Sequence, residues 1–312
     1  MNQEIEDNML VSVVIPTYRR PQKLNRAIQS VLSQTYPYFE ILIADDNEPG
    51  SIWRYRTMYV IQSYLDDSRV HCLPCEKHEN GSAARNRGLS AARGTWICFL
   101  DDDDYYEPDK LEKQIGFLNQ HSEFSGCFCD YKRNGKVEQI PDYKDLCRNI
   151  FLQKQIPQTS SWMLRTETVR AIGGFDESYP RYQDLEFLMR FDQAGYRLGK
   201  VAGPLYTYSQ SDRLNIPDPQ ELERLNMKFL SEFTDESTHK TLLNQSFAAF
   251  SLPVAWIYFQ NQRYGDSLRL ISSSFFRAPG TTVVRSARFV FHQFQRPIHS
   301  LRKVLSHEIF KP

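Results

Sequence analysis

The sequence has no net charge, because 38 lysines and arginines balance 38 aspartates and glutamates. A chain without a global field does not gather nucleic acid through its overall charge, so no nucleic-acid partner is expected. It also lacks a long apolar run. No stretch approaches the roughly 18 apolar residues of a spanning helix. The first ten residues, MNQEIEDNML, have neither the basic start nor the apolar centre of a signal peptide. The chain is therefore expected to begin and stay in the cytoplasm. Cysteine is sparse, with six residues. Cys72 and Cys75 lie near His71 and His78, but no second pair stands at zinc-ribbon spacing, so zinc is set aside. Cys98, Cys127 and Cys129 sit in apolar runs, where a thiol acts as a small hydrophobe. Glycine is missing from IPTYRRPQKL, where a phosphate-cradling loop after the first strand would need it.

What is present is enough for a core: 312 residues, 41% of them hydrophobic. That suits one large α/β domain with an appendage. VSVVI (11–15) reads as a buried strand stopped by Pro16, and a helix starts near Pro21 with Leu24, Ala27, Ile28, Val31 and Leu32 on one face. EILIA is a second buried strand ending at Asp45 and Asp46. A helix is expected over 53–65, a short strand at RVHCL, and a helix at SAARNRGLSAAR stopped by Gly94. WICFL is another buried strand. Pro108 opens a helix with Leu111, Ile115 and Leu118 inward, and GCFCDY is again a strand. This alternation predicts a doubly wound, mostly parallel sheet, whose ligands bind beyond the carboxyl ends of the strands. Further on, DLCRNIF and DLEFLMRFDQAG read as helices, with Gly195 ending the second, and SSWML and PLYTY as strands. After about residue 215 only helical patterns remain, so a boundary is placed near NIPDP (215–219).

Four aspartates, 101–104, stand where WICFL ends. Carboxylates gathered at a strand end bind a divalent cation, form an acid–base pair, or are a solvated turn; oxygen-rich sites suit Mg²⁺ or Mn²⁺. Taken together, VSVVIPTYRRPQKLNRAIQSVLSQTYPYFEILIADDN, NGSAARNRGLSAARGTWICFLDDDDYYEPDKLEKQI and GGFDESYPRYQDLEF resemble glycosyltransferase family 2 over roughly residues 10–210. The resemblance implies a GT-A fold, a nucleotide-sugar donor, Mn²⁺ or Mg²⁺, and inversion at the anomeric carbon. By position, Pro16 and Tyr18 would line the base pocket and Asp46 would bond a uracil or thymine edge. Arg85 would lie near the donor. Asp101 and Asp102 would touch ribose, sugar or metal-bound water, Asp103 would ligate the metal, and Asp184 would be the catalytic base.

Each assignment has a plainer counterpart. Asp184 stands where an N-cap belongs, and Glu186 is a neighbouring carboxylate able to serve as base instead. Asp45 and Asp46 fit the start of a turn before Asn47 and Pro49. Arg85 fits a solvated helix face. Gly173 and Gly174 fit a tight turn. The sequence also departs from the family. SQSDR follows PLYTY where many relatives carry a histidine, and the Q-x-x-R-W signature of processive polymerising members is absent, as are their spanning helices. This points to transfer of a single sugar, or a few, rather than polymer extrusion, and the acceptor expected is a hydroxyl of a cell-surface glycan or lipid-linked saccharide. The rival readings are a sugar nucleotidyltransferase, disfavoured by the glycine-free loop, and an inactive nucleotide-sugar- or metal-binding protein, disfavoured by the intact acidic segments.

Residues 1–9 read as a flexible start, 10–214 as the glycosyltransferase domain and 215–312 as a helical region. From Arg269 onward eight Lys or Arg face one acid, Glu308, and are interleaved with Phe, Val and Leu. Basic helices with aromatics suit an anionic membrane surface, which would place the protein peripherally on the inner face of the plasma membrane. The alternative is that these aromatics pack on the catalytic domain or on a second subunit in a homodimer.

Overall fold

The computed structural model describes residues 10–142, 145–209, 218–234 and 239–287. The expected flexible start at 1–9, most of the expected boundary at 215–219, the SQSDR stretch after Ser209 and the tail beyond residue 287 lie outside them. The described residues fall into two compact units, one within 1–147 and 155–213, the other within 148–154 and 214–312.

The first unit is built on a mixed sheet of nine strands: β1 (Val11–Thr17), β2 (Phe39–Asp45), β3 (Val70–Pro74), β4 (Trp96–Phe99), β5 (Tyr105–Tyr106), β6 (Gly126–Arg133), β7 (Lys136–Glu138), β8 (Met163–Arg165) and β9 (Leu198–Tyr208). Their order is β3-β2-β1-β4-β8-β6-β9-β5, with β7 beside β6. The first four strands are parallel, as are β6 and β9; β8 runs antiparallel to both β4 and β6. The helices are α1 (Pro21–Leu32), α2 (Ile52–Gln62), α3 (Gly81–Ala91), α4 (Lys110–Gln120), α6 (Thr166–Ala171) and α7 (Gln183–Gln193), while α5 (Leu146–Phe151) belongs mostly to the second unit.

The core is where the apolar runs place it. Val11, Val13, Val14 and Ile15 of β1 are fully buried, as are Leu24, Ala27, Ile28 and Val31 of α1. Each such Val, Ile or Leu stabilises the fold by about 1.5–3 kcal/mol. Helix α3 packs against β1 so closely that a Cβ on Gly88 would meet the Val14 Cγ1 at 2.3 Å, which fixes the face from which Arg85 reaches the sheet.

Three local expectations change. Pro16 does not stop β1, which runs on to Thr17 with Pro16 opposite Ala44. Val14 accepts a hydrogen bond from Leu100 N, so alternate residues of β1 turn their polar groups toward β4. Pro16 turns the same way, but β4 has already ended at Phe99, opposite Val14. The missing N–H therefore has no ladder bond to lose. Gly94 is not in the left-handed helix-stop conformation; it is needed because a Cβ there would meet the Leu10 carbonyl oxygen at 2.6 Å. Finally, SSWML is not one strand. Thr159–Ser161 forms a 3₁₀ turn and β8 begins only at Met163. Ser161 bonds back to the Gln158 carbonyl through both its N and its Oγ, a local bond that competes with pairing.

The second unit is helical: α8 (Pro219–Phe233), α9 (Lys240–Gln260) and α10 (Tyr264–Arg277), with further helical turns over 279–287. Phe229, Ala248, Ala249, Phe250 and Val254 form its interior. Asn226 Nδ2 donates to the Phe250 carbonyl at 2.8 Å. Among the described residues no helix is long and apolar enough to cross a membrane.

Candidate active site

The site grows from the carboxyl ends of β1, β2 and β4. At the end of β2 the two aspartates part company. Asp45 turns inward: it pairs with Arg54 at 2.8 Å and accepts from Asn47 N and Nδ2 at 3.0 and 2.6 Å. Burial raises its carboxyl above the ordinary range, against the pull of these partners. Asp46 accepts from His78 Nδ1 at 2.9 Å and lies 3.4 Å from Arg87. Asp45 thus starts the expected turn, its carboxylate accepting from the backbone two residues on, but both aspartates are buried. Tyr18, one residue past β1, stacks on His78 with ring centroids 4.0 Å apart. Tyr18, Asp46 and His78 thus form one small aromatic and acidic wall, with Pro16 half-buried on β1.

At the end of β4 the acidic run turns back over its own strand. Asp102 and Asp103 are each 4% exposed and Asp104 is 2%. Asp102 accepts from Thr17 Oγ1 at 2.8 Å, which ties the run to the end of β1. Asp104 accepts from Ser160 Oγ at 2.7 Å and from Ser209 N at 2.9 Å. Burial pushes the Asp102 carboxyl up to about 7; Arg20 opposes that and Asp103 adds to it. Asp104 is raised by burial and then by Asp101. Three arginines enter the run. Arg20 Nη1 lies 3.2 Å from Asp102 and 2.9 Å from Asp103, Arg26 donates to the Asp103 carbonyl, and Arg85 pairs with Asp101 at 2.5 Å.

Arg85 is not on a solvated face, being 8% exposed. It also donates to Gln183 Oε1 at 2.8 Å, so one side chain links Asp101 to the first turn of α7, where Asp184 follows. Asp184 is not the N-cap. That place belongs to Tyr182, held in the left-handed region at φ 63°. Asp184 is partly exposed, accepts from Leu185 N at 3.0 Å, and is raised above the ordinary carboxylate range by burial, against Arg85. Glu186 points elsewhere. It is buried against Arg190, which also donates to the carbonyls of Ile172 and Gly174. Gly173 and Gly174 make the turn expected of them, at φ 81° and 70°. Asn86 clamps that turn by bonding both Phe175 N and O at 2.8 Å.

The donor chemistry of the run fits a hard divalent cation. Its groups are carboxylate oxygens, and Asp102, Asp103 and Asp104 are buried together at one strand end, where a cation would replace the water they have lost. Among the described residues no group of three or more metal-ligating side chains is assembled. A cation held by one or two carboxylates with diphosphate and water is the ordinary Mg²⁺ pattern.

Three residues of this constellation escape the sequence motifs. Arg20 carries no signal beyond its charge. His78 is conspicuous there only beside two cysteines. Gln183 is read merely as the residue before Asp184.

Residues 12–177 match the profile described as Glycosyl transferase family 2. The amylovoran biosynthesis glycosyltransferase AmsB of Erwinia amylovora is 24% identical over 257 residues, covering 78% of this chain and 84% of that protein. WfaP of Escherichia coli, named as a UDP-Glc:alpha-D-GlcNAc-diphosphoundecaprenol beta-1,3-glucosyltransferase, is 35% identical over 115 residues, which are 37% of this chain and 43% of that one. Among solved structures, S. aureus TarS 1–349 with UDP-GlcNAc superposes with a TM-score of 0.65 at 18% identity, covering 87% and 82% of the two chains. The mannosyltransferase PcManGT of Pyrobaculum calidifontis, with GDP-Man and Mn²⁺, gives 0.59 at 15%, covering 96% and 84%. The mixed, mostly parallel α/β architecture of this chain is the one these neighbours share.

Proposed function

The chain belongs to glycosyltransferase family 2, and from that premise we propose that it moves one sugar from a UDP- or dTDP-sugar to a hydroxyl of a cell-surface glycan or lipid-linked saccharide, inverting the anomeric centre. The observation that carries the reading is the bridge from Asp101 through Arg85 to Gln183, which joins the acidic strand end to the helix that bears Asp184. In support, WfaP is named for a UDP-glucose donor and a diphosphoundecaprenol acceptor, and the TarS structure holds UDP-GlcNAc.

In this reading Pro16 and Tyr18 line the base and Asp46 accepts from its edge. Arg85, Asp101 and Asp102 hold ribose and sugar. Asp103, with donor oxygens and water, would hold Mn²⁺ or Mg²⁺, which supplies Lewis-acid stabilisation to the departing diphosphate. Asp184 takes the proton of the acceptor hydroxyl as its oxygen attacks the anomeric carbon opposite the leaving group. A single displacement of that kind inverts the centre. The raised Asp184 carboxyl strengthens it as a base. The apolar surface of the helical unit faces an anionic membrane, where a lipid-linked acceptor resides; a second copy of the chain is the other occupant to be tested.

The test is release of nucleoside diphosphate from a panel of UDP-, dTDP- and GDP-sugars with Mn²⁺. A GDP-sugar belongs in the panel because PcManGT holds GDP-Man. Release that rises with a saccharide acceptor is expected. Pyrophosphate as the product would mean nucleotidyl transfer. Tight donor binding without any turnover would mean a binding module.

A further inference from the structure

Four consecutive carboxylates need counter-charge, and much of it comes from the chain itself. Arg85 serves Asp101. Arg26 is spent on the Asp103 carbonyl and Ser209 Oγ, both at 2.7 Å. Arg20 is placed differently: one of its nitrogens lies between two carboxylates, 3.2 Å from Asp102 Oδ1 and 2.9 Å from Asp103 Oδ2. A single positive centre shared by two acidic oxygens is also what a divalent cation would be there.

The backbone delivers Arg20 to that point. Arg19 takes the left-handed conformation at φ 58°, and its N–H is held by Asn47 Oδ1 at 2.8 Å. Pro21 then starts α1, with Arg20 in the capping position before it. The side chain is 36% exposed while those of Asp102 and Asp103 are 6% exposed. The guanidinium therefore enters from the solvent side and has a route back to it, whereas the carboxylates do not move out to meet a partner.

We propose that Arg20 is a built-in counter-cation that holds the acidic run together in the donor-free enzyme and competes with the divalent metal for Asp103. This rests on the reading of Asp103 as a metal ligand. Arrival of the metal displaces the guanidinium, which leaves a positive charge at the mouth of the site, beside the N-terminus of α1, when the donor diphosphate enters. Arg20 is thus a positioning residue whose effect on metal affinity is opposite in sign to that of a residue that helps to bind the metal.

The test titrates Mn²⁺ into full-length, nucleotide-free protein and follows the free-ion EPR signal. Arg20→Gln removes the charge and is expected to tighten Mn²⁺ binding about tenfold, the size of one lost charge-assisted hydrogen bond. Arg20→Lys keeps the charge and should bind Mn²⁺ much as the wild type does. In EDTA the Gln variant should melt below the wild type, and saturating Mn²⁺ should close the gap. Should the Gln variant not fold in EDTA, its refolding on addition of Mn²⁺ is the expected result, and failure to refold overturns the proposal. Equal or weaker Mn²⁺ binding by a folded Gln variant, or a Lys variant that binds as tightly as the Gln variant, overturns Arg20's role and leaves the metal reading intact. No Mn²⁺ binding by any form, with or without UDP, overturns both.

Discussion

In the α/β unit Glu40, Asp45, Asp46, Asp103, Lys110 and Glu186 are all under a tenth exposed; among the described residues of the helical unit no charged side chain is. The helical unit is also the denser in exposed apolar side chains: it leaves Phe259, Tyr264, Leu268, Ile271, Phe275 and Phe276 exposed along two helices, whereas the larger α/β unit spreads Tyr38, Ile52, Tyr55, Tyr59, Leu65 and Val137 over residues 38–137. Removing a charge from water costs several kcal/mol unless partners replace the water, whereas exposed apolar surface is tolerated until something covers it. One unit therefore carries the cost associated with chemistry, the other the surface associated with a partner. Within the α/β unit the buried charges divide again. Glu40 with Arg93 and Ser12, Asp130 with Lys200, and Glu186 with Arg190 are closed local sets that fasten the fold. Asp46, the 101–104 run and Asp184 gather at strand ends and at the start of α7, and they are the residues that the proposed function assigns to donor, metal and acceptor.

That division is broken most severely at Asp184. Asp184→Asn keeps shape and removes the base, so transfer should fall about a thousandfold, within the usual range for a general base, while donor binding measured by thermal shift persists. Glu186→Gln should do the reverse: a stability loss of about 2 kcal/mol from the weakened bond to Arg190, with transfer largely kept. If the Gln substitution damages transfer more than the Asn one, the two carboxylates have been given each other's roles. Proton NMR of the product should show the anomeric configuration opposite to that of the donor.

Next in size is Asp103→Asn, with an expected loss of about a hundredfold in kcat; EDTA should abolish turnover and Mn²⁺ or Mg²⁺ restore it. Asp130→Asn, which loosens a closed pair with Lys200, should cost stability and leave kcat near wild type. Full activity in EDTA removes the metal from the account. A smaller, graded effect comes from pH. Asp184 must be ionised to accept a proton, and its carboxyl is raised by burial. As pH falls, kcat/KM at saturating metal should therefore decline at a higher pH than an ordinary aspartate would dictate. An acid limb at or below the ordinary carboxylate range contradicts the assignment.

The parallel half of the sheet was legible because its strands are continuous apolar runs and its helices carry clean stripes; β1, α1, β2 and β4 form where the pattern puts them. The positions of Asp46 and Asp101–Asp104 in the fold were legible for the same reason, since they follow strand ends. What failed was decided by partners distant in sequence. Pro16 remains in its strand because β4 ends early, and Arg85 is buried because Asp101 and Gln183 stand 16 and 98 residues away; the turn before β8 is held both by the local bonds of Ser161 to Gln158 and by Ser160 on the distant Asp104. Arg20 was unreadable because two adjacent arginines before a proline carry no pattern that separates them; only the turn at Arg19 aims Arg20.

The smallest predicted effect lies in the helical unit. Tyr264, Leu268, Ile271 and Phe275 recur at spacings of four, three and four, a single stripe on α10, while Ser267, Leu270 and Ser274 turn inward. The sequence assigned anionic lipid to the arginines from 269 onward, but those described here already have partners: Arg269 pairs with Glu223 at 2.8 Å, Arg277 lies 4.3 Å over the Phe247 ring, and Arg285 bonds the Leu152 carbonyl. The charged share of the proposed lipid contact is therefore assigned to Arg288, Arg296, Arg302, Lys303 and Lys311, outside the described residues, and the apolar share to the stripe. The two shares separate experimentally. Leu268→Ser with Phe275→Ser should weaken co-sedimentation with anionic vesicles about tenfold, as expected when two partly inserted side chains are lost, with the salt dependence unchanged. A chain ending at Ala287 should instead lose the salt-dependent part, since basic residues near such a surface act over about a Debye length. Transfer to a water-soluble acceptor should stay within about twofold in both, because neither change removes a residue assigned to the site. Equal sedimentation of all three forms removes the membrane from this face, and a halving of mass in solution on mutating the stripe assigns the face to a second copy of the chain.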